Sequence, residues 1–411
     1  MKYISKDLEL KVNEAIEYCE SNGLKDLIEE FFVLIDENDT ITKETEVILL
    51  FDKYNDDGFE ISLEEFLDVI EEIKQAKMID DYKYISPKKI LIRVEVVNKE
   101  KLDAIYRELG EICFVESEYI NKKIEVQLVE APINFEILLF KIGHYNKYLL
   151  PYYREELMIQ ITSEENILEN IEEDILENIL EAFIFEVSST FNIGLKISGK
   201  GLDDFEQYDY ENIKKYEETS MRPLLTNGNI KELLKIFNSV NEIINPEISI
   251  IYYTKVIEYV AQSVVKKEML NNILNKLESS ETMSPTANYV LELEELFKIH
   301  NNNMKDNKAI ELTIKTCCNI DELVKNCPEY LQKLKNITFK SSFEEKNKAM
   351  AELSKAISDT RNELAHAKTN YRKKGGECPK NQMEIFSKCL KLVATQVIRW
   401  FARKGSDEKI F

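Results

Sequence analysis

The C-terminal part of the chain, from about residue 229, has a hydrophobic pattern with a single period, that of the α-helix. Prolines stand at or just before several of these segments, where a helix tolerates them because its first N–H groups have no intrahelical acceptor. The pattern predicts helices over 229–244, 247–278, 285–301, 306–317, 319–335, 343–368 and 381–404. Amphipathic helices in this number bury their apolar stripes by packing on one another, so we expect an all-α domain.

The pattern is more varied upstream of residue 229. Helical spacing of apolar residues over 8–19 and 66–73 predicts short amphipathic helices within residues 1–85. Strands are predicted where β-branched residues are dense or alternate with polar ones, and a helix that ends at Gly110 lies between the first two strands. The predicted strands cover 90–97, 112–120, 124–130 and 156–162.

One long segment before the linker is strongly acidic. Residues 164–186 hold nine Asp or Glu and no Lys or Arg, and Ile167, Ile171, Ile175 and Ile179 fall on one stripe. This pattern predicts an amphipathic helix with an acidic outer face. The polar stretch 199–228, with its glycines and a proline, predicts a linker.

These patterns together predict an α+β fold that is mainly α. We expect an acidic helical region over 1–85, a small α/β domain over 86–198, a linker over 199–228 and an all-helical domain over 229–411.

Charge is distributed unevenly along the chain. The net charge is −22, yet residues 361–411 hold twelve Lys or Arg against five Asp or Glu. A basic end on an acidic chain is the asymmetry expected when one region meets phosphate. The alternative is a basic tail that docks on the acidic body.

Cysteine usage and hydropathy indicate a cytoplasmic protein. The seven cysteines are scattered and include no C-x-x-C pair, which favours reduced thiols over a disulfide framework. The N-terminal residues mix charges into every turn, unlike a signal peptide. No apolar run approaches the roughly 20 residues that cross a bilayer, so no membrane association is expected.

The strongest functional signal is the sequence Arg361-Asn362-Glu-Leu-Ala-His366, at the end of the predicted helix 343–368. The chain has only three histidines, and only His366 has both a cation and an amide side chain close by in sequence. An arginine that binds a phosphate and a histidine that moves a proton near neutral pH are the minimum set for metal-free RNA cleavage. Asn362 and His366 lie one helical turn apart and are able to touch.

Cleavage without a metal needs a base for the 2′-hydroxyl and an acid for the 5′-oxygen. One histidine does not readily take both roles in a single step, and a two-fold dimer supplies a second one. We therefore expect a homodimer through the C-terminal domain, RNA as substrate, and no metal or cofactor.

The spacing R-N-x-x-x-H at the end of an amphipathic helix resembles the signature of the HEPN superfamily, whose catalytic members are ribonucleases. The resemblance covers roughly 229–404, and we recognise no family resemblance in residues 1–228. It implies that Arg361 holds the phosphate, that His366 acts as acid or base, and that Asn362 orients the histidine. It also implies a cleft lined by Arg and His of two protomers.

The residues after the motif predict an RNA-binding surface. Tyr371 is a candidate for stacking on a base, and the cations beside it are candidates for phosphate contacts. These cations are Lys368, Arg372, Lys373 and Lys374, followed by two glycines that predict a flexible loop.

Two further patterns are incomplete. The acidic stretch 51–66 is similar to a calcium-binding loop. Placing Gly58 at the sixth position of such a loop puts Lys53 at the first position, where an oxygen ligand is required. Starting instead at Asp52 puts Leu63 at the twelfth position, so an acidic turn between helices is the better interpretation. Residues 194–201 nearly match a phosphate-binding loop, but Gly201 stands where a Ser or Thr is required.

The sequence therefore predicts a metal-independent HEPN endoribonuclease, acting as a bacterial toxin or in antiviral defence, with an N-terminal region that senses a trigger. The alternative is a non-catalytic HEPN-like helical module that binds a nucleotide or a partner protein.

Overall fold

The computed structural model describes residues 2–32, 34–35, 40–51, 58–79, 82–97, 113–143, 157–198, 221–226, 230–365 and 372–404. Within these ranges the protein is mainly helical, with a sheet in its N-terminal part, so the predicted α+β, mainly α class is confirmed at that level. The chain separates into two compact units. Unit 1 comprises Met1–Leu176 and Ile193–Leu224, and unit 2 comprises Glu177–Asn192 and Leu225–Phe411.

Unit 1 is built on an antiparallel sheet of seven strands. The described strands are β1 (Lys2–Tyr3), β2 (Thr40–Ile41), β3 (Glu46–Leu49), β4 (Phe59–Ser62), β5 (Lys77–Ile79), β6 (Lys83–Ile85), β7 (Lys89–Val96), β8 (Phe114–Tyr119), β9 (Lys122–Glu130), β10 (Leu157–Thr162) and β11 (Leu195–Ile197). The large sheet has the order β5-β6-β7-β10-β9-β8, and β11 also pairs with β7. Two small sheets, β1-β2 and β3-β4, complete the unit.

Among the described residues, three helices pack on the core of unit 1, namely α1 (Lys6–Ser21), α2 (Leu63–Gln75) and α3 (Ile133–Lys141). The stripes predicted over 8–19 and 66–73 are confirmed, because Leu8 and Cys19 of α1 and Phe66 of α2 are all buried. A single hydrophobic cluster of buried side chains includes residues from Leu8 of α1 to Met158 of β10. Residues 1–85 thus share one core with the sheet and do not form a separate helical region.

The short strands within residues 1–85 were not predicted. β1 to β6 are two to four residues long, too short for a period of two to stand out. The acidic stretch 51–66 accordingly contains β4, which pairs with β3, where we expected a turn between helices. Lys53 and Asp52 lie outside the described residues.

Three other predictions for this part of the chain have different outcomes. The predicted helix over 99–110 lies outside the described residues. In the near-match to a phosphate-binding loop, 195–197 is strand β11, and residues 199–201 lie outside the described part. Most of the predicted linker 199–228 is likewise outside it.

The acidic segment 164–186 becomes helical later than its pattern predicts. Helix α4 spans Glu173–Phe191, and a 3-10 turn, Leu168–Asn170, precedes it. The backbone N–H of Leu168 donates to the carbonyl of Pro87 (2.9 Å), and its side chain is fully buried. This tertiary contact outweighs the helical spacing, so Ile167 and Ile171 flank a turn instead of sharing a helical stripe.

Unit 2 is all helical in its described residues. Besides α4 it contains α5 (Lys231–Asn238), α6 (Pro246–Leu277), α7 (Ala287–Asn303), α8 (Asp306–Cys317), α9 (Ile320–Leu323), α10 (Gln332–Lys335), α11 (Phe343–Ala365) and α12 (Met383–Ala402). Helix α6 is the centre of the unit, since α8, α11 and α12 all pack against it. The single helix predicted over 319–335 is wrong: the chain forms α9 and α10 instead. Pro328 lies between them and disfavours helical backbone at the residue before it.

The division of the chain differs from the predicted boundaries. Residues 177–192, which we expected in the α/β domain, belong to unit 2. The ring of Phe185 lies 5.0 Å from that of Phe237, and the amide of Asn238 donates to the backbone carbonyl of Glu181 (2.9 Å). The helical unit therefore includes most of α4 in addition to the residues after 225.

None of the helices in the described residues is both long enough and apolar enough to cross a membrane.

Candidate functional site

Helix α11 carries Arg361 and Asn362, the first two residues of the motif, in its last turns. The helix starts with a capping box, in which Glu345 N–H donates to Ser342 Oγ (3.2 Å) and Ser342 N–H donates to Glu345 Oε2 (2.7 Å). Leu353 and Ile357 are fully buried and fix the rotation of the helix about its axis. Its last described residue is Ala365, and His366 lies outside the described residues.

Arg361 is held by two side chains. Its Nη1 donates to Asn362 Oδ1 (3.0 Å), and its Nη2 donates to Glu258 Oε2 (3.3 Å) and lies 3.1 Å from Oε1. The Arg361 and Glu258 side chains are each 30% exposed, so the pair is open to solvent at one side. The guanidinium is therefore fixed at two of its nitrogens without being enclosed.

The Glu258 carboxylate sits among several charges. Burial raises its pKa, while the positive charge and the hydrogen bond of Arg361 lower it. Among more distant groups, Asp306 at the start of α8 raises this pKa and Lys255 on α6 lowers it. The arginine is thus the main partner that favours the charged form of the carboxyl group.

The loop after α11 folds back on the same helix. Cys378 N–H donates to Thr360 Oγ1 (2.9 Å), which anchors the loop in a buried position. Lys374 Nζ lies 4.0 Å from Asp359 Oδ1, and Lys373 Nζ lies 3.7 Å from Glu363 Oε1. Burial raises the pKa of Asp359, and Lys374 opposes that rise.

These contacts occupy a different face of α11 from Arg361. Asp359 and Glu363 are four residues apart and lie on one face, whereas Arg361 is rotated by about 200° from Asp359. Lys373 and Lys374 are thus bound by carboxylates on the face away from the Arg361–Glu258 pair. The structure brings Arg361 and Asn362 together but does not place these two lysines beside them.

The remaining predicted site residues have separate outcomes. Arg372 is described and exposed. His366, Lys368 and Tyr371 lie outside the described residues, so their placement stays a prediction.

The described part of this region is close to electrically balanced. Its cations are Lys255, Lys355, Arg361, Arg372, Lys373 and Lys374, and its carboxylates are Glu258, Asp306, Asp359, Glu363 and Glu377. Glu377 also accepts from the N–H of Gly375 (2.7 Å) within the loop. Carboxylates therefore nearly match the cations described around the motif, which include four of the twelve Lys and Arg residues counted over 361–411.

Sequence reasoning missed Glu258. It precedes Arg361 by 103 residues, so no motif joins the two. The available signal was a charged residue within the largely apolar run 256–265, where Val256, Ile257 and Val260 are buried. A charge in such a run requires a partner.

The described residues contain no group of three or more His, Cys, Asp or Glu arranged to hold a metal ion. Their cysteines are free, and burial raises the thiol pKa values, to about 11 for both Cys327 and Cys378. Such thiols are poor nucleophiles at neutral pH.

Comparisons with models of protein families, with curated proteins and with solved structures found no match to this chain.

Proposed function

We propose that this protein is a metal-independent endoribonuclease of the HEPN type, which cleaves RNA by attack of the RNA's own 2′-hydroxyl group. Arg361 binds the scissile phosphate, His366 transfers the proton, and Asn362 helps to order both. The observation that supports this most directly is a guanidinium fixed at the end of α11 yet partly exposed.

The hydrogen-bonding capacity of Arg361 is compatible with this role. A guanidinium has five N–H donors. The bonds to Asn362 and Glu258 use one donor on each terminal nitrogen. The other donors remain for phosphate oxygens, which planar guanidinium groups bind in pairs.

The reaction requires two proton transfers, and this requirement supports the expected dimer. Each chain supplies one histidine in the motif, and the reaction needs an acid and a base. Two protomers related by a two-fold axis bring two copies of His366 to one cleft. The proposed biological setting is a toxin or antiviral-defence effector, whose N-terminal region responds to a trigger.

The test is cleavage of single-stranded RNA by the full chain and by Arg361→Ala and His366→Ala. Both variants are expected to lose nearly all activity while remaining folded at the assay temperature. Arg222→Ala, at an exposed arginine of unit 1, and His300→Ala, on α7, are the matched controls and should stay active.

The chemistry provides further criteria. Products should end in a 2′,3′-cyclic phosphate, EDTA should not inhibit, and a 2′-deoxy substitution at the cut site should block cleavage. RNase activity that needs added Mg²⁺ or Mn²⁺, or His366→Ala cleaving as well as wild type, would refute the proposal.

A second candidate is a non-catalytic helical module that binds a nucleotide or a partner protein. The local balance between cations and carboxylates favours it, because long RNA binds best to an uncompensated positive surface. In that case the wild-type chain and its variants would all cleave RNA no faster than background, and Arg361→Ala would weaken binding of the ligand.

A further inference from the structure

Glu258 occupies a rigid position in unit 2. It lies in the middle of α6, a 32-residue helix against which α8, α11 and α12 pack. The neighbouring residues Ile257 and Val260 are fully buried. The backbone that carries the carboxylate is therefore fixed by the core of the unit.

Arg361 by itself is less constrained. It lies four residues before the end of α11, and the long arginine side chain has many rotamers and loses conformational entropy when it is held in one of them. Asn362, which binds Nη1, is on the same helical turn and moves with it. Among the contacts that the described residues make with Arg361, the one with Glu258 ties the guanidinium to another helix.

We propose that Glu258 is the positioning residue for Arg361: its carboxylate holds Nη2 so that the remaining donors point to the scissile phosphate. This inference rests on the proposed ribonuclease function. Contacts at both terminal nitrogens fix the plane of the guanidinium, and a preoriented donor stabilises the transition state without reorganisation during the reaction.

The inference predicts a particular separation between kcat and KM. Glu258→Ala keeps the arginine, and with it the affinity for phosphate, but releases its orientation. We expect kcat to fall on the order of 10²-fold, the usual cost of misplacing a reacting group by about 1 Å. KM should change much less. Glu258→Gln retains an oxygen acceptor for Nη2 and should recover at least part of the lost kcat.

A pH profile adds a readout that a purely structural role would not change. Protonation of Glu258 weakens its hold on Arg361, so the wild-type kcat should fall on the acid side more steeply than protonation of the His366 base alone would cause. Glu258→Gln should lack this additional fall. The charged groups around the carboxyl are Arg361 on α11, Asp306 on α8 and Lys255 on α6, and all three remain in the variant.

The experiment measures kcat, KM, their pH dependence and the unfolding temperature for wild type, Glu258→Ala and Glu258→Gln. Glu311→Ala is the control. Glu311 is a mostly buried glutamate of α8 whose partners are Lys308 (2.8 Å) and Lys315 (2.6 Å), away from the motif. The Glu311→Ala variant should retain the wild-type kcat.

The outcomes are distinct. A wild-type kcat in Glu258→Ala, or an equal loss in Glu258→Ala and Glu258→Gln with an unchanged acid limb, overturns the positioning role while leaving the ribonuclease proposal intact. A wild-type protein that cleaves no RNA, or cleaves it as well after Arg361→Ala, overturns the ribonuclease proposal and this inference with it.

Discussion

Replacing Arg399 by methionine is expected to destabilise unit 2 strongly. Arg399 Nη2, on α12, donates to Glu186 Oε2 (3.0 Å) and to Ser189 Oγ (2.9 Å), both on α4. The Glu186 side chain is only 1% exposed and that of Arg399 is 13% exposed. Methionine fills much of the same volume but removes the guanidinium charge and its hydrogen bond to the buried carboxylate.

The expected size of the effect follows from this burial. Removing one partner of a buried ion pair costs about 3–5 kcal/mol, because an uncompensated charge stays in a poorly solvated site. For a unit of about 200 residues, each kcal/mol lowers the unfolding temperature by roughly 2–4 °C. The Arg399→Met variant should therefore unfold about 6–20 °C below wild type.

The assay is thermal unfolding followed by circular dichroism, together with urea unfolding. The double variant Glu186→Gln/Arg399→Met removes the buried charge and should regain most of the lost stability. The control is Lys388→Ala on the same helix, whose ion pair with Glu384 is 62% and 75% exposed and should contribute little.

The reasoning would be refuted if Arg399→Met unfolded within 2 °C of wild type, or if the double variant were less stable than the single one. Either result would mean that Glu186 is not a buried carboxylate dependent on Arg399.

Three other predictions concern the limits of unit 2, the loop beside α11 and the effect of alkaline pH. A fragment of residues 229–411 lacks α4, so it loses the packing of Phe185; it should show reduced near-ultraviolet circular dichroism and unfold below the full chain. Gly376→Ala should cost about 1–3 kcal/mol, measured by urea unfolding, because a Cβ there would lie 2.5 Å from Oδ2 of the buried Asp359. Burial raises the pKa of Cys19 from 9.0 to about 12. The folded state then keeps a proton that the unfolded state loses above pH 9, so stability falls as pH rises from 9 towards 12. Cys19→Ala should make this fall shallower by about 1.4 kcal/mol per pH unit in urea titrations.

Much of the helical architecture was predictable from hydrophobic spacing. Helices α6, α8, α11 and α12 lie close to their predicted ranges, because each is long enough for a period of 3.6 residues to repeat several times. Strands β7, β9 and β10 were predictable from their β-branched residues for a similar reason. The sequence also contains the signal for the break at Pro328, because a proline disfavours helical backbone at the residue before it.

Elements that depend on distant partners were not predictable. The two-residue strands β1 and β2 exist through pairing with each other across 38 residues, so neither has a local pattern of its own. The start of α4 was misplaced because the Leu168 contact with Pro87 competes with helical backbone. The assignment of most of α4 to unit 2 depends on side chains such as Phe237, which lie far along the chain.

In the candidate site, too, some features follow from the sequence alone and others depend on the tertiary structure. Sequence alone determined that Arg361 and Asn362 are adjacent near the end of an amphipathic helix, because residues close in sequence keep their geometry in any helix. Tertiary structure decided that Glu258 binds Arg361 and that Asp359 and Glu363 bind the lysines of the next loop. A count of charges along the chain shows a basic end, but Coulomb energy depends on distance in space. Packing brings carboxylates within 4.0 Å of three of its cations, Arg361, Lys373 and Lys374.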